Sequence, residues 1–339
     1  MPDSSSDLTA LRKVQHVKIV LEKNVQHTTP TGFDDIHFLH YALPELNYNE
    51  INTDVTFLKR KFSLPFMVLS MTGGHETVEK INKDIALACE EKNIVMGVGS
   101  QRAMIEKPEL ARTFKVKDVA PDVFLCGNVG GYQLTKYPFE KIESMVSSIE
   151  ADALCIHLNP LQEIVQPEGD RNWHGVLAAI EKTCEKLDVP VIAKEVGAGI
   201  NAEVCKELEH AGVAAIDVSG TGGTSWAGIE VHRKGADAGN LYWNWGVPTT
   251  TALTEAAKAV KLPLIASGGV RNGLHVAKAI RLGATLAGGA SPFLKAQNAA
   301  GSEGVKKEIE KWETELKIAM FLTRSSNLQQ LKKAKMLSG

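Results

Sequence analysis

Residues 262–290 read LPLIASGGVRNGLHVAKAIRLGATLAGGA, and the spacing of their apolar positions changes twice. Leu264–Ser267 is a short apolar run, Leu274–Leu282 is apolar at helical intervals, and Thr285–Gly288 is a short run again. The reading is strand, crossover helix, parallel strand, since a parallel neighbour is reached only through a connection of helix length. Upstream the same pair of elements recurs. Runs at Phe66–Met71, Ile94–Val98, Val123–Gly127, Ala153–Leu158, Val191–Lys194 and Ala215–Ser219 bring the set to eight strands. Between them Val78–Lys92, Glu109–Val119, Phe139–Ile149, Trp173–Leu187, Ala202–Ala211 and Thr250–Val260 read as amphipathic helices. The first four strands start at 66, 94, 123 and 153, steps of 28, 29 and 30 residues, one βα unit each. All are apolar throughout, as strands covered on both faces are. Eight such units over roughly 230 residues predict an α/β protein with a closed TIM (β/α)8 barrel.

Around that core, Leu8–Val25 reads as an N-terminal helix and residues 301–339 as a charged helical tail. One domain is expected over 1–339, with the barrel at about 65–300 and a segment 1–64 capping its mouth. The longest interruption, Gly220 to Val247, carries Trp226, Tyr242, Trp243 and Trp245, and reads as a lid or an oligomer contact. With 44% hydrophobic and 23% charged residues, disorder is excluded. Lys+Arg at 38 against Asp+Glu at 40 leaves a net charge of −2, which excludes a broad surface for nucleic acid or acidic membrane. The five cysteines are scattered and never spaced as C-x-x-C, so a zinc site or disulfide framework is not expected and a reducing cytoplasm is. There is neither a signal-like apolar region at the N-terminus nor a run of membrane-spanning length, so a soluble, cytoplasmic protein is expected.

In such a barrel the chemistry sits at the C-terminal ends of the strands. There the chain is polar and rich in glycine: Ser70 to Gly74, Gly99 to Arg102, Gly127-Asn128, His157 to Glu163, Lys194-Glu195, Ser219 to Trp226, Gly268 to Arg271 and Gly288 to Ala290. Glycines let backbone N–H groups approach an anion, a helix N-terminus adds positive potential, and Arg271 brings a fork of donors. One Gly-Gly pair reads as a turn; two, in the loops after the last two strands, read as a phosphate site. Lys194 reads as a solvated strand end, a Schiff-base lysine or a fixed cation beside an anion. His157 reads as a buried histidine before a catalytic one. Glu163 divides evenly between a solvated loop acid and a carboxylate for a hard cation or a basic substrate. Arg12 and His16 at i,i+4, with Lys13, form either a solvated helical face or a basic trio over the barrel mouth.

In their order and spacing these residues resemble the type 2 isopentenyl diphosphate isomerases, FMN-dependent barrel enzymes. The likeness runs along nearly the whole chain, through Arg12-Lys13 with His16, Met71 to Gly74, Gly99 to Arg102, His157 to Asn159 with Gln162-Glu163, Lys194 to Gly197, Ser219 to Trp226 with Glu230, Trp245 to Thr249, Gly268 to Arg271 and Gly289-Ala290. It implies FMN held by Ser70, Met71, Thr72, Gly73, Ser100, Asn128, Lys194, Thr224, Gly269, Val270, Arg271, Ala290 and Ser291. It implies a substrate diphosphate gripped by Arg12, Lys13, Ser100, Gln101 and Arg102, with Asn159 and Gln162 also on the substrate and Mg²⁺ on Glu163. Gln162, Lys194, His157, Glu230 and Trp226 would surround the reacting atoms. The implied reaction converts isopentenyl diphosphate to dimethylallyl diphosphate with no net redox change, on reduced FMN, with NADPH as the reductant, in a homo-oligomer of four or eight chains. Gln162 is a neutral amide, so proton transfer is expected to fall to the reduced flavin.

The rival enzyme is an FMN-dependent 2-hydroxy acid oxidase on a similar barrel. It needs a histidine base and an arginine clamp after the sixth strand, where this chain has Ser219-Gly220-Thr221-Gly222-Gly223-Thr224. A barrel that binds phosphate without catalysis is argued against by Gln162, Glu163 and Lys194 together.

Overall fold

The computed structural model describes residues 5–235 and 237–337, with side chains from Arg12 onward except at 234. Ten strands form. A short antiparallel hairpin, β1 (Val55–Phe57) and β2 (Arg60–Phe62), leads into eight parallel strands: β3 (Phe66–Val68), β4 (Val95–Gly97), β5 (Phe124–Gly130), β6 (Ala153–Leu158), β7 (Val191–Glu195), β8 (Ala215–Asp217), β9 (Leu264–Ala266) and β10 (Leu286–Gly289). The eight close in the order β10-β3-β4-β5-β6-β7-β8-β9, the seam pairing Ala287 with Phe66 and Gly289 with Val68. The expected barrel is therefore present, strand for strand.

The barrel strands are buried along their length except for the last two residues of β6, and the helices cover the outside with their apolar faces. Most crossover helices fall where periodicity puts them, as at Glu76–Glu91, Val176–Lys186, Ala202–His210, Thr249–Ala259 and Gly273–Arg281. Glu109–Val119 is an exception. Pro108 holds Lys107 extended at φ −133°, and the segment forms a short helix Arg102–Glu106 followed by the 3-10 turn Pro108–Thr113. The long interruption after β8 is also largely helical, with helices at Trp226–Lys234 and Asp237–Leu241. The tail begins earlier than its charge pattern implies. One helix runs from Ser291 to Leu322, directly out of β10, and breaks at Ala300–Gly301, where Gly301 takes φ +60°.

The N-terminal end of the barrel is closed by the hairpin, whose Phe57 and Phe62 are buried while Arg60 stacks on Phe62 and Phe124. The other end is covered by the N-terminal helix Ser5–Glu22. Its exit is sewn to the loop after β8: Ser225 N donates to Val25 O at 2.7 Å and His27 N to Gly223 O at 2.8 Å. Trp243 joins the same seam, donating through Nε1 to Gln26 O at 3.0 Å, whereas Tyr242 and Trp245 face outward. The aromatic segment is thus a fastening for the cap with an exposed apolar edge. Among the described residues no helix is long and apolar enough to cross a membrane.

Candidate functional site

A cavity of about 520 Å³ occupies the C-terminal mouth of the barrel, beneath the N-terminal helix. Two of its walls face each other across the barrel, since β10 and β6 lie four strands apart in the closed order. The wall after β9 and β10 is backbone. Gly268 and Gly269 take φ +95° and +75°, and a Cβ on Gly223 would lie 2.5 Å from Gly269 N. Only glycine permits this close approach of loops. Ser291 opens the long helix beside Ala290 and supplies a helix N-terminus. Arg271 Nη2 donates to Gly222 O at 2.8 Å and Gln26 Oε1 at 2.9 Å, tying both loops to the cap. This wall suits a phosphate.

The opposite wall is built from side chains. Asn159 Nδ2 donates to Gln162 Oε1 at 3.0 Å and Glu163 Oε1 at 2.9 Å. Glu163 Oε2 accepts from Gln166 Nε2 at 2.7 Å and from the backbone N of Asp170 at 2.8 Å. Gln162 Nε2 donates to Glu230 Oε1 at 3.3 Å, so both ends of the Gln162 amide are held. Glu230 also meets Arg233 Nε at 2.6 Å and His16 Nε2 at 3.2 Å. Burial works to raise the Glu230 carboxyl, but His16 and Arg233 outweigh it and keep it below its ordinary value. His16, pushed down to about 4 by burial, is neutral at pH 7 and donates through Nε2.

Over this wall the roof is cationic. Arg12, Lys13 and Arg102 converge, and Arg102 is held by Glu106 and Asp170, each at 3.2 Å. Arg12 and Lys13 make no ion pair or hydrogen bond among the described residues. Burial, reinforced by the charges of Arg12 and Arg102, pushes the Lys13 ammonium down to about 7, and burial lowers Arg12 as well. Glu163 offsets only part of this, and cations brought together with so little direct pairing mark a place for an anion.

The floor is set by β5, β6 and β7. His157 Nδ1 lies 2.8 Å from Asn128 Oδ1, and Asn128 Nδ2 donates to Val98 O, so the imidazole donates through Nδ1 and keeps an Nε2 lone pair. Burial first, then Lys194, Lys13 and Arg12, hold it neutral. Lys194 Nζ donates to Glu195 O at 2.6 Å. Trp226 stands at the edge with its ring 5.2 Å from that of His16.

The cavity brings together most of the residues singled out in the sequence: Arg12, Lys13, Arg102, Ser70, Met71, Ser100, Asn128, His157, Asn159, Gln162, Glu163, Lys194, Thr224, Trp226, Gly269, Val270, Arg271, Ala290 and Ser291. Four are not on its surface. The Gln101 side chain turns into the wall, where Oε1 accepts from Asn128 N at 2.8 Å and Nε2 donates to Met145 O at 3.2 Å. Thr72 is fully buried behind Gly99, whose N donates to Thr72 O, and Gly73 packs on the Phe114 ring. Glu230 acts from behind Gln162 and His16. Asp170 and Arg233, absent from the sequence reading, orient Arg102 and Glu230; only the i,i+3 spacing of Glu230 and Arg233 hints at either.

Residues 158–338 match the FMN-dependent dehydrogenase family. Proteins named isopentenyl-diphosphate delta-isomerase are similar along the whole barrel. That of Pyrococcus furiosus is 47% identical over 337 residues, covering 96% of this chain and 86% of that protein. That of Thermococcus onnurineus is 47% identical over 339 residues (96% and 91%), and that of Methanosarcina mazei 45% over 332 (95% and 90%). Among solved structures, a flavocytochrome b2 with benzoylformate has a TM-score of 0.71 at 19% identity, covering 95% of this chain and 82% of that one. A mandelate oxidase with benzaldehyde reaches 0.69 at 17% identity, covering 98% and 97%. At such identities the likeness is one of fold.

Proposed function

The chain belongs to the family of isopentenyl-diphosphate delta-isomerases, within the FMN-dependent dehydrogenases, and on that premise we propose that it converts isopentenyl diphosphate to dimethylallyl diphosphate in the cavity at the barrel mouth. One observation carries the reading. A single cavity has two sites suited to anions, of different make and on opposite sides: glycine backbone and a helix N-terminus on one, Arg12 and Lys13 without a direct ion pair, with Arg102, on the other. The first fits the single phosphate of FMN, the second a diphosphate, and the floor between them takes a flat ring.

The residues fit the flavin. Gly269, Val270, Arg271, Ala290 and Ser291 would hold its phosphate, while Ser70, Met71, Ser100, Asn128, Lys194 and Thr224 would hold the ring and chain. When bound and reduced, FMN supplies the proton-donating and proton-accepting positions that the neutral Gln162 amide lacks. Glu163 presents a carboxylate already steadied by Asn159, Gln166 and the Asp170 amide. No group of three His, Cys, Asp or Glu suited to a metal is found among the described residues. Mg²⁺ would therefore take Glu163 and complete its shell from diphosphate oxygens and water. NADPH is the reductant in this reading and visits the same mouth, since the chain carries no second dinucleotide loop.

The chain's own groups bind and orient. Arg12, Lys13 and Arg102 take the diphosphate, and Asn159 and Glu230 fix Gln162 beside the hydrocarbon end. Lys194 stands at the floor, where an ammonium favours negative charge on the ring edge. Trp226 offers an aromatic face to positive charge developing at the tertiary carbon. Neutral His157 presents its lone pair without adding charge. The enzyme works as a cytoplasmic homo-oligomer of four or eight chains, for which the exposed edge of Leu241, Tyr242 and Trp245 is available. The test is an anaerobic assay with isopentenyl diphosphate, FMN, Mg²⁺ and NADPH that follows product and NADPH together. Many turnovers per NADPH consumed are expected; NADPH loss in step with turnover, without the isomer, would return the chain to the oxidoreductases.

A further inference from the structure

Three titratable side chains lie abreast across β6, β7 and β8. The parallel register pairs His157 with Lys194, and Lys194 with Asp217. Residues paired on adjacent strands project to one face, and His157 and Lys194 line the cavity, so Asp217 projects into the barrel beside Lys194. Asp217 itself is only 1% exposed and does not reach the cavity surface. Its Oδ1 accepts from Ser267 Oγ at 2.6 Å and Ser219 N at 3.2 Å, whereas Oδ2 is buried with no hydrogen-bond partner. Lys194, also buried, donates to a carbonyl and has no ion pair among the described residues. A buried ammonium in adjacent register offsets part of the desolvation of the buried carboxylate, which burial still holds above its ordinary value. The other groups around Lys194 do not serve. His157 is neutral, Arg12 and Lys13 are cations, and Glu195, the next residue along β7, projects to the opposite face of the strand, where Oε2 accepts from the backbone N–H groups of Gly197, Ala198 and Gly199 and Oε1 is left without a partner.

We infer that Asp217 is the counter-charge of Lys194: a positioning residue that, without touching any ligand, holds the ammonium at the cavity floor where the edge of bound FMN arrives. The inference rests on the flavin reading of the cavity for its consequence, and on the barrel alone for the pairing. The two are tested separately. In flavin-free protein, melting temperatures are measured for wild type, Asp217→Asn, Lys194→Met and the double variant. Asp217→Asn is expected to lose stability because it strands a buried cation, and adding Lys194→Met is expected to recover about half of that loss or more. Additive losses, or a double variant no better folded than Asp217→Asn, would overturn the pairing. In FMN-loaded protein the midpoint potential is measured. It is expected to fall in Asp217→Asn, as the Lys194 ammonium leaves the floor and the reduced ring loses its cation, and to stay with wild type in Asp217→Glu. A potential that rises or does not move in Asp217→Asn overturns the inference. Wild-type protein that takes up no FMN overturns the flavin reading instead, and the melting series still decides the pairing.

Discussion

Removing the charge of Lys13 should make the ligand-free protein more stable and the enzyme worse. Lys13 lies under the cap beside Arg12 and Arg102, and burial with those charges brings its ammonium from the ordinary 10.5 to about 7. A cation lowered in this way weakens the folded state below about pH 7, where it stays charged, and the cost fades as pH rises toward the unfolded value near 10.5. The shift taken whole is about 5 kcal/mol; Lys13 keeps part of its surface in water, and screening reduces this to about 1–3 kcal/mol. Lys13→Met keeps the stem and drops the charge, so at neutral pH its melting temperature should exceed wild type by about 2–4 °C for a chain of this size. Diphosphate reverses the order. A charge-assisted hydrogen bond contributes about 1.5–3 kcal/mol, so KM should rise about 10- to 100-fold. Inorganic pyrophosphate with Mg²⁺ should accordingly raise the melting temperature of wild type more than that of Lys13→Met. Paired melts with and without pyrophosphate, and KM, are the assays. A variant that melts at or below wild type without pyrophosphate, with KM unchanged, would refute the claim that the roof is a strained cation cluster awaiting an anion.

Two further outcomes follow from the walls of the cavity. Gly269→Ala would carry a Cβ 2.4 Å from Thr31 Cγ2 and 2.5 Å from Gly222 O at φ +75°, so FMN affinity should fall about 10- to 100-fold, read by flavin fluorescence titration with the circular dichroism as a check on folding. Unaltered affinity would move the phosphate away from this loop. Glu163→Gln keeps the shape but not the charge of the residue tied to Asn159 and Gln166, and should raise the Mg²⁺ concentration for half-maximal activity by about tenfold or more; an unchanged Mg²⁺ titration would leave the metal to the diphosphate alone.

The barrel was legible because parallel strands covered on both faces are predominantly apolar, with polar residues such as His157, Lys194 and Asp217 gathered near their C-terminal ends, and each run from Phe66 to Gly289 ends in glycine, proline or a polar cluster. Periodicity failed where it was overruled locally. Glu109–Val119 has helical spacing, but Pro108 fixes the preceding residue extended and the turn that follows is 3-10. The aromatic run after β8 looked like loop because Gly235 and Gly239 interrupt it, yet Gly235 ends one helix in αL and Gly239 lets the next pack against Val231 and Ala227. Within the site, the glycine-lined wall was readable from local glycine pairs. The other wall was not, since its hydrogen bonds join residues far apart in sequence: Gln162 to Glu230, His16 to Glu230, Arg102 to Asp170. Gln101 shows the converse. Its neighbours Ser100 and Arg102 face the cavity, and only the fold reveals that it turns away to brace Asn128.

The same barrel serves hydroxy-acid oxidation and double-bond migration, so what separates the two must be found in particular residues. An oxidase of this fold needs a base and a carboxylate clamp after β8. Here that loop is pressed into its neighbours: a Cβ on Gly220 would meet Thr249 Cα at 2.4 Å, one on Gly222 would meet Thr31 Cγ2 at 2.4 Å, and one on Gly223 would meet Gly269 N at 2.5 Å. Histidine or arginine is thus excluded at these three positions by the backbone around them. Against this loop lies the residue-25-to-31 strap, which donates to it from His27 N, accepts from Thr250 N through Thr31 O, and leads back to the N-terminal helix across the mouth. The glycine loop and the cationic roof are therefore joined: the packing that leaves no room for histidine or arginine in the loop also fastens the strap whose helix carries Arg12 and Lys13 over the cavity.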